Sequence, residues 1–198
     1  DVNVTKDIFA LGAATTIAGT LQVTLSEFQQ NTQTLTPANI IVDGGTLTGG
    51  SGAITVSGAV TISSGTFTST SNTLTVSGAW THTAGGTFTH NSGTVAFTGS
   101  SATIDVSSTE SFSALTINKT GGQTLTIASG DALVAAGVLT LTDGAFATGS
   151  ITAQGNIVVG AGWDVAGSGV INATGTGIVT LDASSNLDNP LTVNKAGG

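Results

Sequence analysis

The sequence predicts an all-β chain wound as a parallel β-helix, or β-solenoid, with roughly 18–21 positions to each coil. Three observations carry that expectation. The block Leu115-Thr116-Ile117-Asn118-Lys119-Thr120-Gly121-Gly122 returns 76 positions later as Leu191-Thr192-Val193-Asn194-Lys195-Ala196-Gly197-Gly198, and Asn39-Ile40-Ile41-Val42-Asp43-Gly44-Gly45 is a weaker copy one such step earlier. A finer period lies inside the long one: Ile54-Thr55-Val56-Ser57-Gly58-Ala59 is followed 20 positions on by Leu74-Thr75-Val76-Ser77-Gly78-Ala79, with comparable starts at Thr94, Leu115, Leu133, Ile151, Val170 and Leu191. Each unit also holds short alternating runs, such as Thr66-Phe67-Thr68, Leu125-Thr126-Ile127 and Leu139-Thr140-Leu141, separated by Gly, Ser, Asn or Asp. Alternation at period two marks strands with one buried face, and the punctuation marks turns.

A unit of this size cannot bury its own apolar face and must stack on its neighbours. Equivalent strands then pair in parallel along the axis, roughly 4.8 Å apart, so that about nine coils would make a rod on the order of 45 Å long. The rule for parallel crossovers favours a right-handed coil. An antiparallel β-sandwich is the alternative, because it too has many short strands. It gives no reason for one residue type to recur at one coil position.

Along the chain, residues 1–39 are the least regular and read as an atypical capping or docking segment, as terminal repeats often are. Within them Val2-Asn3-Val4 and Thr20-Leu21-Gln22-Val23-Thr24 read as strands, and Ser26-Glu27-Phe28-Gln29-Gln30-Asn31 as a short helical turn behind a Ser cap. Residues 40–198 read as regular coils. Leu74, Val76, Phe88, Phe97, Ile104, Leu115, Ile117, Leu125, Ile127, Leu139, Leu141, Phe146, Ile157, Val159, Leu181, Leu191 and Val193 should point inward. Trp163 fits either the core or a surface contact. The last coil begins at Leu191, so Leu191, Thr192, Val193 and Asn194 form an expected assembly edge whose unpaired backbone groups invite another strand. Either the chain continues past Gly198 or this edge docks on the start of another copy, a head-to-tail contact that grows filaments.

Composition narrows the function classes. Of 198 residues about a fifth are threonine, 29 are glycine, 7% are charged, and cysteine, methionine and tyrosine are absent. Thiol and disulfide chemistry are therefore excluded. A formal net charge of −8, with no arginine and only Lys6, Lys119 and Lys195, argues against nucleic acid. No apolar run is long enough to span a membrane as a helix. The scattered acids read as solubility for a sparsely charged surface. An acidic, Cys-free, Thr/Ser/Gly-rich β-protein suits the outside of a cell. Glycosylation-type triplets at Asn3, Asn118 and Asn172 are expected by chance in so Thr-rich a chain.

The run Ser113 to Gly122, preceded by Gly93-Thr94-Val95-Ala96-Phe97-Thr98-Gly99-Ser100, resembles the repeats of large secreted or cell-surface β-solenoid proteins of prokaryotes, in the style of autotransporter passengers and haemagglutinin-like adhesins. The resemblance covers about residues 40–198. It implies an extracellular location and a structural or adhesive role, and it carries no functional residues with it.

Candidate chemistry is sparse. His82 and His90 are the only imidazoles. Parity places His82 inward beside Trp80, where a core histidine is the plainer reading than a base or ligand. Paired carboxylates for glycoside cleavage would need two acids across one groove; Asp143 with Asp164, or Asp105 with Glu110, are the pairs to test. Asp182, Asn186 and Asp188 gather oxygen ligands suited to calcium, although Asx-rich turns form readily without metal. Thr66, Thr68, Thr87 and Thr89 should stack as a threonine ladder around inward Phe67 and Phe88, similar to the flat ladders of ice-binding proteins. A ladder broken by Ala145-Phe146-Ala147 is expected, and a second file through Thr55, Thr75, Thr116, Thr152 and Thr192 is interrupted by Ala96 and Asn172. Threonine also suits any exposed strand position.

The expected function is therefore that of a non-enzymatic extracellular structural or adhesive protein without a cofactor. It would form a homopolymer or part of a longer chain. The alternatives are an ice- or glycan-binding solenoid and, less favoured, a polysaccharide-active enzyme.

Overall fold

The computed structural model describes residues 1–163, 167–181 (the side chain of Leu181 excepted) and 187–194. Asp164 of one candidate acid pair, Asp182 and Asn186 of the calcium candidates, and Lys195 to Gly198 of the long repeat lie outside the described residues. The described residues form strands and turns, with no helix among them, in two compact units, Asp1–Val95 and Ala96–Gly198. Strands pair in parallel within each unit, which decides for a β-solenoid over an antiparallel sandwich.

Each coil of the first unit has three sides. On one, Val2–Val4, residues 21–23, 40–42 and 60–62, and Trp80–His82 lie in register, so that Val2, Leu21, Ile40, Val60 and Trp80 form one file and Val4, Val23, Val42, Ile62 and His82 another. The second side stacks Phe9–Ala10, Glu27–Gln29 and residues 46–48, 66–68 and 87–89. The third stacks residues 15–17 and 35–37, Ile54–Val56 and residues 74–76. The strand Leu35–Thr48 runs through all three sides, and its register shifts fall between them, at Pro37 to Asn39 and around Asp43. Residues 1–39 contribute strands to all three sides of this stack. The helical turn expected at Ser26 to Asn31 is instead the strand Glu27–Gln29. Phe28 is buried between two half-buried neighbours, and pairing with residues 46–48 gives the backbone a ladder that an isolated turn lacks.

The second unit repeats the three-sided plan with looser spacing. Ala114–Asn118, Leu139–Asp143, Ile157–Gly162 and Val179–Leu181 stack on one side, and Ala102–Val106, Thr124–Ile127 and Ala145–Thr148 on another. Thr109–Phe112, Ala132–Ala135, Ser150–Ala153, Val170–Ala173 and Leu191–Val193 form a separate five-stranded sheet. Some coils are longer than expected. The step from Leu115 to its partner Leu139 outruns the upper end of the expected range, because the loop after Lys119 adds length at a corner, and the strands before it stay paired with one register shift between Ile117 and Asn118.

This pairing corrects the expected single column of repeat starts. Leu115 belongs to one side and Leu133, Ile151, Ile171 and Leu191 to another, although Leu115 and Leu191 open nearly identical motifs. The file expected to join Thr116 to Thr152 and Thr192 is thus two files, with Thr116 beside Thr140 and Val158, and Thr152 beside Asn172 and Thr192.

The core is the inside of each coil. Of the residues expected inward, Leu74, Val76, Phe97, Ile104, Leu115, Ile117, Leu125, Ile127, Leu139, Leu141, Phe146, Ile157 and Val159 are buried, as are Trp80 and Trp163. Each such side chain contributes about 1.5–3 kcal/mol before entropy is subtracted. Phe88 is only half-buried but packs edge-on to Phe67 and Trp80. Leu191 and Val193 depart from expectation: they are 37% and 60% exposed, because among the described residues their strand has a neighbour on one side only.

Gln30 and Thr70, both buried at corners of the first unit, are hydrogen-bonded. Gln30 Oε1 accepts the Gly50 N–H at 2.7 Å, and its Nε2 donates to the Gln33 carbonyl. Thr70 Oγ1 donates to the carbonyls of Gly50 and Gly52. Close backbone approach also dictates glycine. Gly65 sits at φ +77°, and a Cβ there would collide with the Gly45 carbonyl oxygen on the coil below. Gly121, at φ +75°, has open space where its Cβ would be. Gly121→Ala is expected to cost roughly 1–2 kcal/mol for the left-handed backbone alone. Gly65→Ala should cost more, because the coils must also separate. Urea unfolding of both variants checks this; equal losses would mean that the corner contact contributes nothing.

Candidate functional site

The most regular outward surface described is the second side of the first unit. Its inward file is Phe28, Leu47, Phe67 and Phe88, with Phe9 stacked on Phe28 at a centroid distance of 5.4 Å. Because side chains alternate across a strand, the residues on either side of this file face out. Thr46, Thr66 and Thr87 lie in one outward file above Glu27, and Thr48, Thr68 and Thr89 in the other above Gln29. In register Thr66 lies beside Thr87 and Thr68 beside Thr89, and the files run one coil further, through Thr46 and Thr48. The spacing from coil to coil is about 4.8 Å, and the two files are about 6.6 Å apart along each strand. Thr48 Oγ1 donates to Glu27 Oε1 at 2.7 Å, tying the lowest rungs together.

Two features explain why sequence reasoning missed Thr46 and Thr48. Their central residue is Leu47 rather than phenylalanine, and they follow an irregular corner at Asp43 to Gly45, so the Thr-Phe-Thr signature is lost while the register survives. The break expected at Ala145-Phe146-Ala147 belongs to a different stack, in which Phe146 lies over Leu125 in the second unit. A third outward file, Thr16 beside Thr36 and Thr55 beside Thr75, runs along the third side of the first unit.

Other candidates are not brought together. Asp105 is exposed on one strand, whereas Glu110 is buried at an inward position in register with Leu133, so the two do not face one groove. Asp188 is exposed. Its neighbour Asn189 is buried and donates from Nδ2 to the carbonyls of Phe146 and Gly169 at 2.8 and 2.9 Å, bracing the corner. Among the described residues no three histidine or carboxylate side chains converge as a metal site, and no pocket opens within either unit. No helix among them is long and apolar enough to cross a membrane. The expected edge residues Leu191, Thr192, Val193 and Asn194 are all exposed, and among the described residues the Leu191–Val193 strand pairs with residues 171–173 alone.

The coils and their outward threonine files define a repetitive β-solenoid. The family model described as Haemagglutinin repeat matches residues 127–189, which lie within the second unit. The chain is accordingly a repetitive β-solenoid protein that is similar to the haemagglutinin repeat over residues 127–189. No curated protein and no solved structure matches it.

The threonine files and the aromatic file beneath them should respond differently to substitution. Phe67→Ala, which empties a fully buried site, is expected to lose about 3–5 kcal/mol. Thr66→Val and Thr68→Val, on the outer face, should stay within about 0.5 kcal/mol of wild type. Thermal unfolding monitored by circular dichroism measures both.

Proposed function

We propose that this chain is an adhesin-like structural protein of the cell surface, one that presents rigid, uncharged β-faces. The observation that carries the reading is the alignment of its outward positions. A parallel in-register stack places threonine above threonine on the outside while apolar and aromatic files fill the inside. The match to the haemagglutinin repeat supports the same class, since proteins with that repeat are typically secreted or cell-surface adhesins without enzymatic activity.

The finer proposal is self-association through exposed strand edges, with residues 1–39 as the docking segment. Leu191 and Val193 are exposed on an edge strand of the second unit, and Ile8, Phe9 and Leu25 are exposed in the first coils of the first unit. Apolar groups beside open backbone favour a second copy of the chain as the partner. Sedimentation of the purified chain over a range of concentrations, with electron microscopy of the products, tests this. Concentration-dependent filaments that Val193→Lys suppresses are the expected outcome, and a wild-type chain that stays monomeric throughout would defeat the self-association reading. Surface adhesion is tested separately by binding of the labelled chain to cells and to a glycan array.

A second reading, ice binding, is favoured by the two parallel files Thr46, Thr66, Thr87 and Thr48, Thr68, Thr89. A rigid array of methyl and hydroxyl groups at regular spacing can order water. Thermal hysteresis in the wild type that is abolished by Thr66→Lys with Thr68→Lys would support this reading, and its absence from the wild type would remove it.

A further inference from the structure

Lys119 stands apart from every other lysine described. Its side chain is completely buried in the second unit, at the corner where the strand Ala114–Asn118 ends. The Nζ atom donates to the Thr98 carbonyl at 2.6 Å and to the Ser100 carbonyl at 2.9 Å, both on the preceding coil. Its own N–H donates to the Asp143 carbonyl at 2.8 Å on the following coil, so one residue ties three successive coils. The corner is bound a second time through Gln123, whose Oε1 accepts from both the N–H and the hydroxyl of Ser101.

The charged and titratable groups around this amine are few. The Thr98–Ser101 turn and the loop from Thr120 to Gln123 carry none. On the neighbouring strand Asp143 meets Lys119 through its backbone carbonyl, and the Asp105 side chain on Ala102–Val106 is exposed. Glu110 belongs to the other sheet of the unit, in register with Leu133. A protonated amine has three N–H donors and would find, among the described residues, two carbonyls and no carboxylate to balance its charge. A neutral amine has two N–H donors, and both are satisfied. Burial without a counter-ion penalises the charged form.

We propose that Lys119 is a protonation-controlled lock on this corner, fastened more firmly when its amine is neutral than when it carries a proton. Burial lowers its pKa from the ordinary 10.5 to about 8, which sets the window. Below pH 8 the amine is charged in both the folded and unfolded chain, and this group makes stability independent of pH. Between about pH 8 and 10.5 the folded chain has released a proton that the unfolded chain still holds, so stability rises with pH. Above 10.5 the contribution is again constant.

The composition makes the effect measurable. With no cysteine or tyrosine, only Lys6, Lys195 and the N-terminal amine share that window with Lys119. Urea midpoints of the wild type and Lys119→Met, taken from pH 7 to 11, give the first test. The wild-type midpoint should climb through the window while that of the variant stays flat, so that the two curves differ in slope. Parallel curves would overturn the proposal. If the variant does not fold, titration of the Lys119 side-chain carbon resonance in the wild type decides directly. A midpoint near 8 supports the lock, and one at 10 or above refutes it.

Discussion

The constraint on which the rest depends is the in-register parallel ladder between successive coils. Once strand backbones pair at about 4.8 Å, each side chain sits directly above its counterpart on the coil below. A position is then a file rather than a point. Phe28, Leu47, Phe67 and Phe88 become an internal column, and Thr46, Thr66 and Thr87 an external one, from a single rule of alternation. An amino acid that fits once fits on every coil, which is why the sequence can be so repetitive and so poor in charge.

The same rule places the demanding chemistry at the corners. Sides satisfy their backbone groups by pairing, whereas corners interrupt the ladder and must find partners elsewhere. Gln30 and Thr70 do this with buried side-chain bonds in the first unit, and Asn189 and Lys119 do it in the second. Gly65 solves the related problem of close approach by having no side chain. Corners also absorb length. The coil from Leu115 to Leu139 is longer than the one from Leu133 to Ile151, yet the sides of both stay paired.

A scaffold of this kind is suited to display. Its interior is filled by apolar side chains, and its outward faces are broad and regular. The exposed strand Leu191–Val193 and the threonine files on the first unit are its most distinctive described surfaces.

How much of this was legible beforehand depends on whether a feature is local. The apolar-Thr-apolar triplets and their Gly/Ser punctuation were enough to determine strands, inward files and parallel stacking, because alternation within a short fixed period leaves few other ways to bury the apolar face. They could not say which side a triplet occupies, since all three sides need the same pattern; Leu115 and Leu191, alike in sequence, stand in different sheets. Nor could they show that Thr46 and Thr48 extend the ladder past an irregular corner, that the Ser26 turn is a strand, or that Leu191 and Val193 are exposed. Lys119 is the clearest case: nothing around it in sequence distinguishes a solvated lysine from a buried one. Its partners Thr98 and Ser100 are distant along the chain and meet it only because the coils stack. The sequence by itself determined the repeating unit, and tertiary stacking decided which units touch, because register is a property of pairs of coils.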